Sequence, residues 1–511
     1  MSGASRARGR ERIVAVALAV TVGACASSAG DSMEVTHGTV IRNVTIVNTQ
    51  DGSLLPRTTL VLHDGKIQRI TSATSIRTSG AAVAIDATGK YLVPGYLDMH
   101  THAMTAADQQ PGPWPLLIAN GITGIREMGG SAALIQRARQ LNAESAAGRM
   151  VAPEILQVPG DIFAGRVAAP AQAVLLVQQQ KAMGASFVKV VNASREVTLA
   201  LLAEAQVQGL GVAGHLPSGI SAVEAAQAGW RAVEHLGSGM GVLLDCAAEE
   251  ASIRKSVLNG EGAKPPLLPT AITSPMLFRA LDAAFYQRIL DSQDDGKCRA
   301  VTQVLADRGT WQVPTLIRLR TMMFSDDALY RADPNLAYVD KTMRALWESL
   351  GARYSVDVPP AAAATFRRYY GAQQELVKRM KRQGVKMLAG SDLGGIWVIP
   401  GFGLHQEFRE LAAAGLSPLE VLQTATLNGA EFLGREATMG TVAEGKHADL
   451  VLLDANPLAD VANLAKISAV FLKGTHFSSE ALENLKRQVK QAHESQPLKS
   501  LSSALDPTHV H

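Results

Sequence analysis

The sequence predicts an α/β fold: a (β/α)8 TIM-like barrel of parallel strands carrying a composite β-sandwich built from both chain ends. Three observations lead there. Short apolar runs alternate with Ala/Leu-rich helical stretches through the middle of the chain, as a parallel sheet requires. Segments of strand-and-turn texture flank that region on both sides. Metal-type side chains recur at the ends of the apolar runs, where a barrel would gather them at one mouth.

Eight runs read as barrel strands: YLVPGYLDMH, GITGIREM, EILQVPG, SFVKVV, LGVAGH, RAVEHL, WQVPTL and VKMLAGSD. Each is short and apolar, as buried parallel strands are. Between them lie helical stretches such as SREVTLALLAEAQVQG and ISAVEAAQAG. The spacing is even except between the sixth and seventh runs. The excess over about 240–305 reads as an insertion with helices of its own. The β texture of GTVIRNVTIVNT, TTLVLHDGKIQRI and AVAIDATGKYLVPG returns in GTVAEGKHADLVLLDANP and ISAVFLKGT. The expected organisation is a composite sandwich from 37–93 plus 441–478, a barrel over 94–440, and a C-terminal helix and tail over 479–511.

The chain has 511 residues, 47% hydrophobic and 19% charged, with net charge +3. That is a globular composition. Arg6, Arg8, Arg10 and Arg12 against Glu11 already account for the whole +3, so the body is near neutral and no nucleic-acid partner is expected. These basic residues precede the apolar run Ile13 to Val22, too short to span a bilayer. Val22-Gly23-Ala24-Cys25 follows and resembles a bacterial lipobox. The expectation is a signal peptide over 1–25, lipidation of Cys25, and a polar tether over 26–36. That implies export to the bacterial cell envelope, as an outer-membrane lipoprotein or in the periplasm, with the lipid as the only membrane attachment. Cys246 and Cys298 then remain as a pair in an oxidising space, where a disulfide between them is expected.

His100 and His102 are two apart on a strand, so period-two alternation turns both to one face. Lys189 interrupts the apolar FVKVV. Burial disfavours its ammonium form, and a neutral amine can take up carbon dioxide to give an anionic carbamate that bridges two cations. The bland alternative is a strand-end lysine that snorkels or pairs with a carboxylate. His215 and His235 each end a strand, and neutral imidazole is a common ligand of zinc and related ions. Asp392 ends LAGSD, where a carboxylate can hold an ion and move a proton, or merely cap a helix. His405 in PGFGLHQEF could orient substrate or simply cap a helix, and Tyr369, Tyr370, Arg318 and Arg320 are candidate substrate contacts without a spacing argument. HExxH, GxxxxGK[ST] and GxSxG are all absent.

PGYLDMHTH, GITGIREMGG, FVKVV, GVAGHLPSG, AVEHLGSG, VPTL, LAGSDLGG, SPLEVLQTATLNGAEFLG and GTVAEGKHADLVLLDANP resemble, in order, the segments of the amidohydrolase superfamily. The likeness covers about 38–475, is poorest over 245–305, and points most to secreted prolidase-type and imidazolonepropionase-like members. It implies two divalent ions, zinc above all. His100, His102 and Asp392 would hold the more buried ion, and His215 and His235 the exposed one. Carboxylated Lys189, which takes up carbon dioxide, would bridge them. Such relatives often carry a tyrosine two residues after the lysine; Val191 stands there in this chain. The implied activity is hydrolysis of an amide bond in a dipeptide, Xaa-Pro or N-acyl amino acid by a metal-bridging hydroxide, with Asp392 as the proton carrier. The rivals are a one-metal cyclic-amide hydrolase, a lactonase or esterase, and a lipid-anchored binding protein without catalysis. The sequence leaves the substrate, the metal and a homo-oligomeric state open.

Overall fold

Two bodies of strands, one mixed and one parallel, meet at Pro94-Gly95. The computed structural model describes residues 33–72, 76–106, 112–262 and 279–497. Residues 1–32, with Cys25, and residues 498–511 lie outside these ranges, so the signal-peptide and lipobox readings fall there too.

The mixed body takes Thr39–Val47, Leu54–His63, Lys66–Thr71, Val83–Asp86 and Tyr91–Pro94 from the first part of the chain. Leu450–Leu453, Ile467–Leu472 and Thr475–Ser478 come from the last part. Hydrogen bonds join all of these into one eight-stranded sheet. The chain ends meet where Tyr91–Pro94 runs antiparallel to Leu450–Leu453. Alternating apolar positions supply its core, with Ile41, Val44, Leu60, Leu62, Leu92, Leu450, Leu452 and Phe471 buried together. Thr39–Val47 changes neighbour halfway. Its first half pairs with Val83–Asp86 and Thr45–Ile46 pair with Tyr91–Leu92. Asn43, at φ 58°, sits at the switch, and a short polar residue tolerates that conformation.

The run YLVPGYLDMH is two strands rather than one. Gly95 N still bonds Asp449 O in the mixed sheet, whereas Tyr96 N bonds Gly121 O in the other body. Tyr96–Thr101, Ile122–Glu127 and Glu154–Gln157 then form a parallel trio. Phe163–Ala164, Phe187–Asn192, Gly211–Gly214, Trp230–Glu234 and Trp311–Val313 form a parallel five. The short Phe163–Ala164 strand was not anticipated.

The run VKMLAGSD makes only isolated bridges, Gln312 with Met387 and Thr101 with Leu393. It still lies between the two groups: Leu388 N bonds Gln312 O, and Met99 N bonds Ala389 O. Asp392, at the end of the run, takes φ 53°. On the opposite side, Ser186 N bonds Val158 O and links the trio to the five.

Helices fill the crossovers, as parallel strands demand. Arg195–Gln208 shows the local logic: Ser194 accepts from Val197 N at its start, and Gly209 closes it in the left-handed conformation. After Trp230–Glu234 the chain makes a long helical excursion before Trp311. Cys246 and Cys298 are joined there by a disulfide. Leu97, Met99, Phe187, Ala213, Ala232, Trp311, Val313 and Leu388 pack into one cluster within the parallel strands. Ser479–Ser495 lays Leu482 against Ile118 and Ala119. Among the described residues, no helix is long and apolar enough to cross a membrane.

Candidate metal centre

The C-terminal ends of the parallel strands bring His100, His102, Lys189, His215, His235 and Asp392 into one cluster, buried except for the partly exposed His102. His100, fully buried, ends Tyr96–Thr101 and turns Nε2 to within 3.3 Å of Asp392 Oδ1. His102 Nε2 lies 3.4 Å from the same oxygen. His235 Nε2 is 3.9 Å from Asp392 Oδ2. The His215 and His235 rings meet at 5.0 Å between centroids. Lys189 stands in register with Ala213, two residues before His215, and is 2% exposed.

Local backbone makes this convergence. His235 and Leu236 take φ near 54° directly after the strand, turning the imidazole back over its end. Asp392 also has positive φ. Both are non-glycine residues in a costly region, so surrounding contacts must hold them there. Asp98 does so beside Asp392, accepting from Ser391 N at 2.9 Å and Ser391 Oγ at 2.5 Å.

Two histidines have their tautomers fixed. His100 Nδ1 sits 2.6 Å from Glu234 Oε2, and a carboxylate accepts, so Nδ1 carries the proton. His235 Nδ1 is 2.5 Å from Thr315 Oγ1. The Thr315 hydroxyl spends its own proton on Pro314 O at 2.8 Å, so His235 Nδ1 must donate. Both Nε2 atoms are thereby turned on Asp392, the orientation metal-ligating histidines take from their outer partners. His100 Nε2 is buried without a hydrogen-bond partner. An orphaned buried nitrogen facing a carboxylate and a second imidazole fits a cation. Among the described residues, His100, His235 and Asp392 bring one donor atom each within 4.8 Å of one another.

The electrostatics agree for most of the group. Burial holds His215 and His235 well below the ordinary histidine value, which keeps them neutral. Burial also lowers Lys189, to about 8, against the pull of Glu234 and Asp392. Asp392 is held well below the ordinary carboxylate range: burial opposes ionisation, but His100 and His235 outweigh it. His100 goes the other way. Burial and Lys189 depress it, yet Asp392 and Glu234 raise it overall. Two carboxylates favour positive charge on this ring, and a metal ion would replace the proton as the source of that charge.

Glu234 was missed by sequence reasoning. It is fully buried and ion-paired to Arg126. Burial opposes its charge, but Arg126 and then His100 bring it to about 2. Arg126 in turn lies 5.0 Å from the Phe187 ring centroid and 5.1 Å from that of Phe432. Glu127 was missed as well; it accepts from the amides of Met104 and Gly129, both at 2.8 Å, and faces His102 Nδ1 at 3.8 Å. The available signal was a charged residue inside GITGIREM and RAVEHL, the same interruption that singled out Lys189.

Of the candidate substrate contacts, Arg318 reaches the cluster, with Nε 3.2 Å from Asp392 Oδ2. The others are corrected. His405 Nε2 donates to Asn120 O at 3.0 Å and its ring packs edge-on against Tyr96 and Phe408. Tyr369 is fully buried and donates to Met240 O, tying helix Pro360–Arg382 to the excursion. Tyr370 donates to Glu410 Oε2 at 2.6 Å. These polar tips are consumed in packing between helices. Arg320 pairs with Glu410 at 3.3 Å.

Comparison with known proteins bears on the fold. The amidohydrolase family profile matches residues 332–476, which includes Asp392 but none of the four histidines. No curated protein matches the chain. Among solved structures, a bottromycin amidohydrolase is similar at TM-score 0.67 and 21% identity, over 92% of this chain and 93% of that one. A Xaa-Pro dipeptidase crystallised with methionine in its active site gives 0.58 and 17%, over 86% and 100%. A putative prolidase from Bifidobacterium longum gives 0.56 and 22%, over 89% and 99%. At these identities the likeness carries the fold. Residues 332–476 thus match the amidohydrolase family profile, and the chain as a whole shares the fold of these solved structures.

Proposed function

We propose that the protein is a metal-dependent hydrolase that cleaves the amide bond of a dipeptide, a Xaa-Pro peptide or an N-acyl amino acid. We read the parallel trio, the four strands Phe187–Asn192, Gly211–Gly214, Trp230–Glu234 and Trp311–Val313, and the 386–393 segment as the eight strands of a (β/α)8 barrel. The observation that carries the functional reading is the convergence of His100 Nε2, His235 Nε2 and Asp392, with both imidazoles oriented from behind.

His100, His102 and Asp392 would hold one divalent ion, His215 and His235 a second, with Lys189 as a carbamate between them. Bound ions, zinc above all, would polarise the carbonyl and make the attacking water easier to ionise. Asp392 takes the proton that the attacking water gives up and returns it to the nitrogen as the C–N bond breaks. Its low proton affinity suits a carboxylate that must be ionised before it can act as base. Arg318 pairs with it from the other side. A one-ion reading, with a cyclic amide as substrate, has its own support: only His100, His235 and Asp392 bring donor atoms within 4.8 Å of one another among the described residues.

The test is metal analysis of purified protein, followed by a panel of dipeptides, N-acyl amino acids, lactones and cyclic amides. About two ions per chain and amide turnover are expected. Full activity at one ion sinks the two-ion reading, and a preference for lactones sinks the amide reading. Lys189→Ala and Lys189→Arg should both lose metal and rate, because neither can form a carbamate. We also propose a lipid anchor at Cys25; unchanged membrane fractionation of Cys25→Ser would refute it.

A further inference from the structure

Thr315 is the residue before helix Leu316–Met323 and would ordinarily use its hydroxyl to cap that helix. It does not. Its φ is 44°, it makes no capping hydrogen bond, and its Oγ1 is committed to His235 Nδ1 and Pro314 O. The first amides of the helix still need a partner, because no carbonyl lies one turn before them.

That partner arrives from another element. Glu407, on helix Phe402–Ala413, is fully buried and accepts from Ile317 N at 2.8 Å through Oε2, with the Leu316 amide as a second donor. Its other oxygen, Oε1, has no partner. Burial raises its carboxyl to about 8, so near neutrality it is mostly uncharged and serves as a hydrogen-bond acceptor. Ninety residues separate it in sequence from the amide it caps.

We infer that Glu407 is a positioning residue for the metal centre: by capping helix Leu316–Met323 in place of Thr315, it frees the Thr315 hydroxyl to orient His235. The same helix carries Arg318, whose Nε lies 3.2 Å from Asp392 Oδ2, so one cap sets two groups of the site. Without Glu407, the shortest remedy for the exposed amides is a rotation of the Thr315 side chain onto its own helix. That rotation gives up His235 Nδ1. The inference deepens the metal-dependent reading, but its first observable needs no metal.

The experiment compares full-length wild type, Glu407→Ala and Glu407→Gln, each with and without Thr315→Val, labelled with 15N-histidine. In metal-free wild type, a slowly exchanging Nδ1 proton should be assignable to His235 by its loss in Thr315→Val. Glu407→Ala should lose or shift that signal, while Glu407→Gln, whose amide oxygen still accepts, should keep it. With zinc in a chelator competition, Glu407→Ala should bind about 10- to 100-fold more weakly, the range seen when outer partners of metal ligands are removed. Adding Thr315→Val to Glu407→Ala should cost little further, since both act on the same hydrogen bond. An unchanged His235 signal in Glu407→Ala, even with a lowered Tm, overturns the inference. So does a Glu407→Gln variant that loses the signal as Glu407→Ala does. A wild type that binds no zinc would defeat the functional reading and still leave the His235 signal to judge Glu407.

Discussion

Glu234 holds His100 on one oxygen and Arg126 on the other, and all three side chains are inaccessible to solvent. An amide cannot serve both, because only one of its two polar atoms accepts. Glu234→Gln should therefore unfold more easily by about 3–5 kcal/mol, the usual cost of breaking a buried ion pair. It should also bind metal more weakly. Urea titration and chelator competition measure the two effects, and a variant normal in both would contradict this account. Glu407 gives a pH signature instead. Its folded value is raised from 4.5 to about 8, so between those limits the folded state holds the extra proton and its contribution to stability falls as pH rises. Glu407→Gln has no such proton. Its stability relative to wild type should improve between pH 5.5 and pH 8, read from paired denaturation curves; a constant difference would remove the shift. Lys189 and Glu234 carry the same sequence signal, a charge inside an apolar run. Lys189 stands out because a lysine in an apolar run has no easy reason to be there, whereas a glutamate one residue before a strand-end histidine is easily passed over.

Strand pairing decides how closely these groups approach. Gly214, at φ 142°, lies beside Val190, and a Cβ there would fall 1.9 Å from the Val190 carbonyl oxygen. Glycine lets the strand before His215 press against the strand that carries Lys189. Gly214→Ala should force the two apart, costing about 1–3 kcal/mol or more, and should reduce metal content in step. Thermal melts and elemental analysis check it; an alanine variant with native metal and Tm would show that the close approach is dispensable. Helix stretches and most strand runs were legible because their periodicities are local. The 385–392 run forms only isolated bridges, since apolar content alone does not specify which backbone groups will pair. The division of YLVPGYLDMH was hidden for a related reason. No change of residue pattern marks the break, and only the backbone partners, Asp449 before it and Gly121 after it, assign the two halves to two sheets.

At the scale of the whole molecule, the excursion between Trp230–Glu234 and Trp311–Val313 is tied back on itself by Cys246–Cys298, 52 residues apart. It is also held to helix Pro360–Arg382 through Met240 and Tyr369. Closing a loop of that size restricts the unfolded chain and should contribute about 4 kcal/mol. Cys246→Ala with Cys298→Ala should lower Tm while leaving metal content intact, because neither cysteine touches the cluster. Differential scanning calorimetry with and without reductant measures this, and an unaffected Tm would mean the disulfide constrains nothing that folding needs.

By itself the sequence determined the class of fold and the residue types of the site. Both depend on short-range pattern: alternation of apolar runs with helices, and polar side chains placed where such runs end. It did not determine which of these polar residues meet. Tyr369, Tyr370 and His405 were as plausible as Arg318, yet only Arg318 reaches Asp392. Nor could it show that Glu234 orients His100 across 134 positions, or that Glu407 caps a helix that Thr315 leaves uncapped. A hydrogen bond depends on a few tenths of an ångström and on direction, and for residues so far apart both are fixed only when the elements pack.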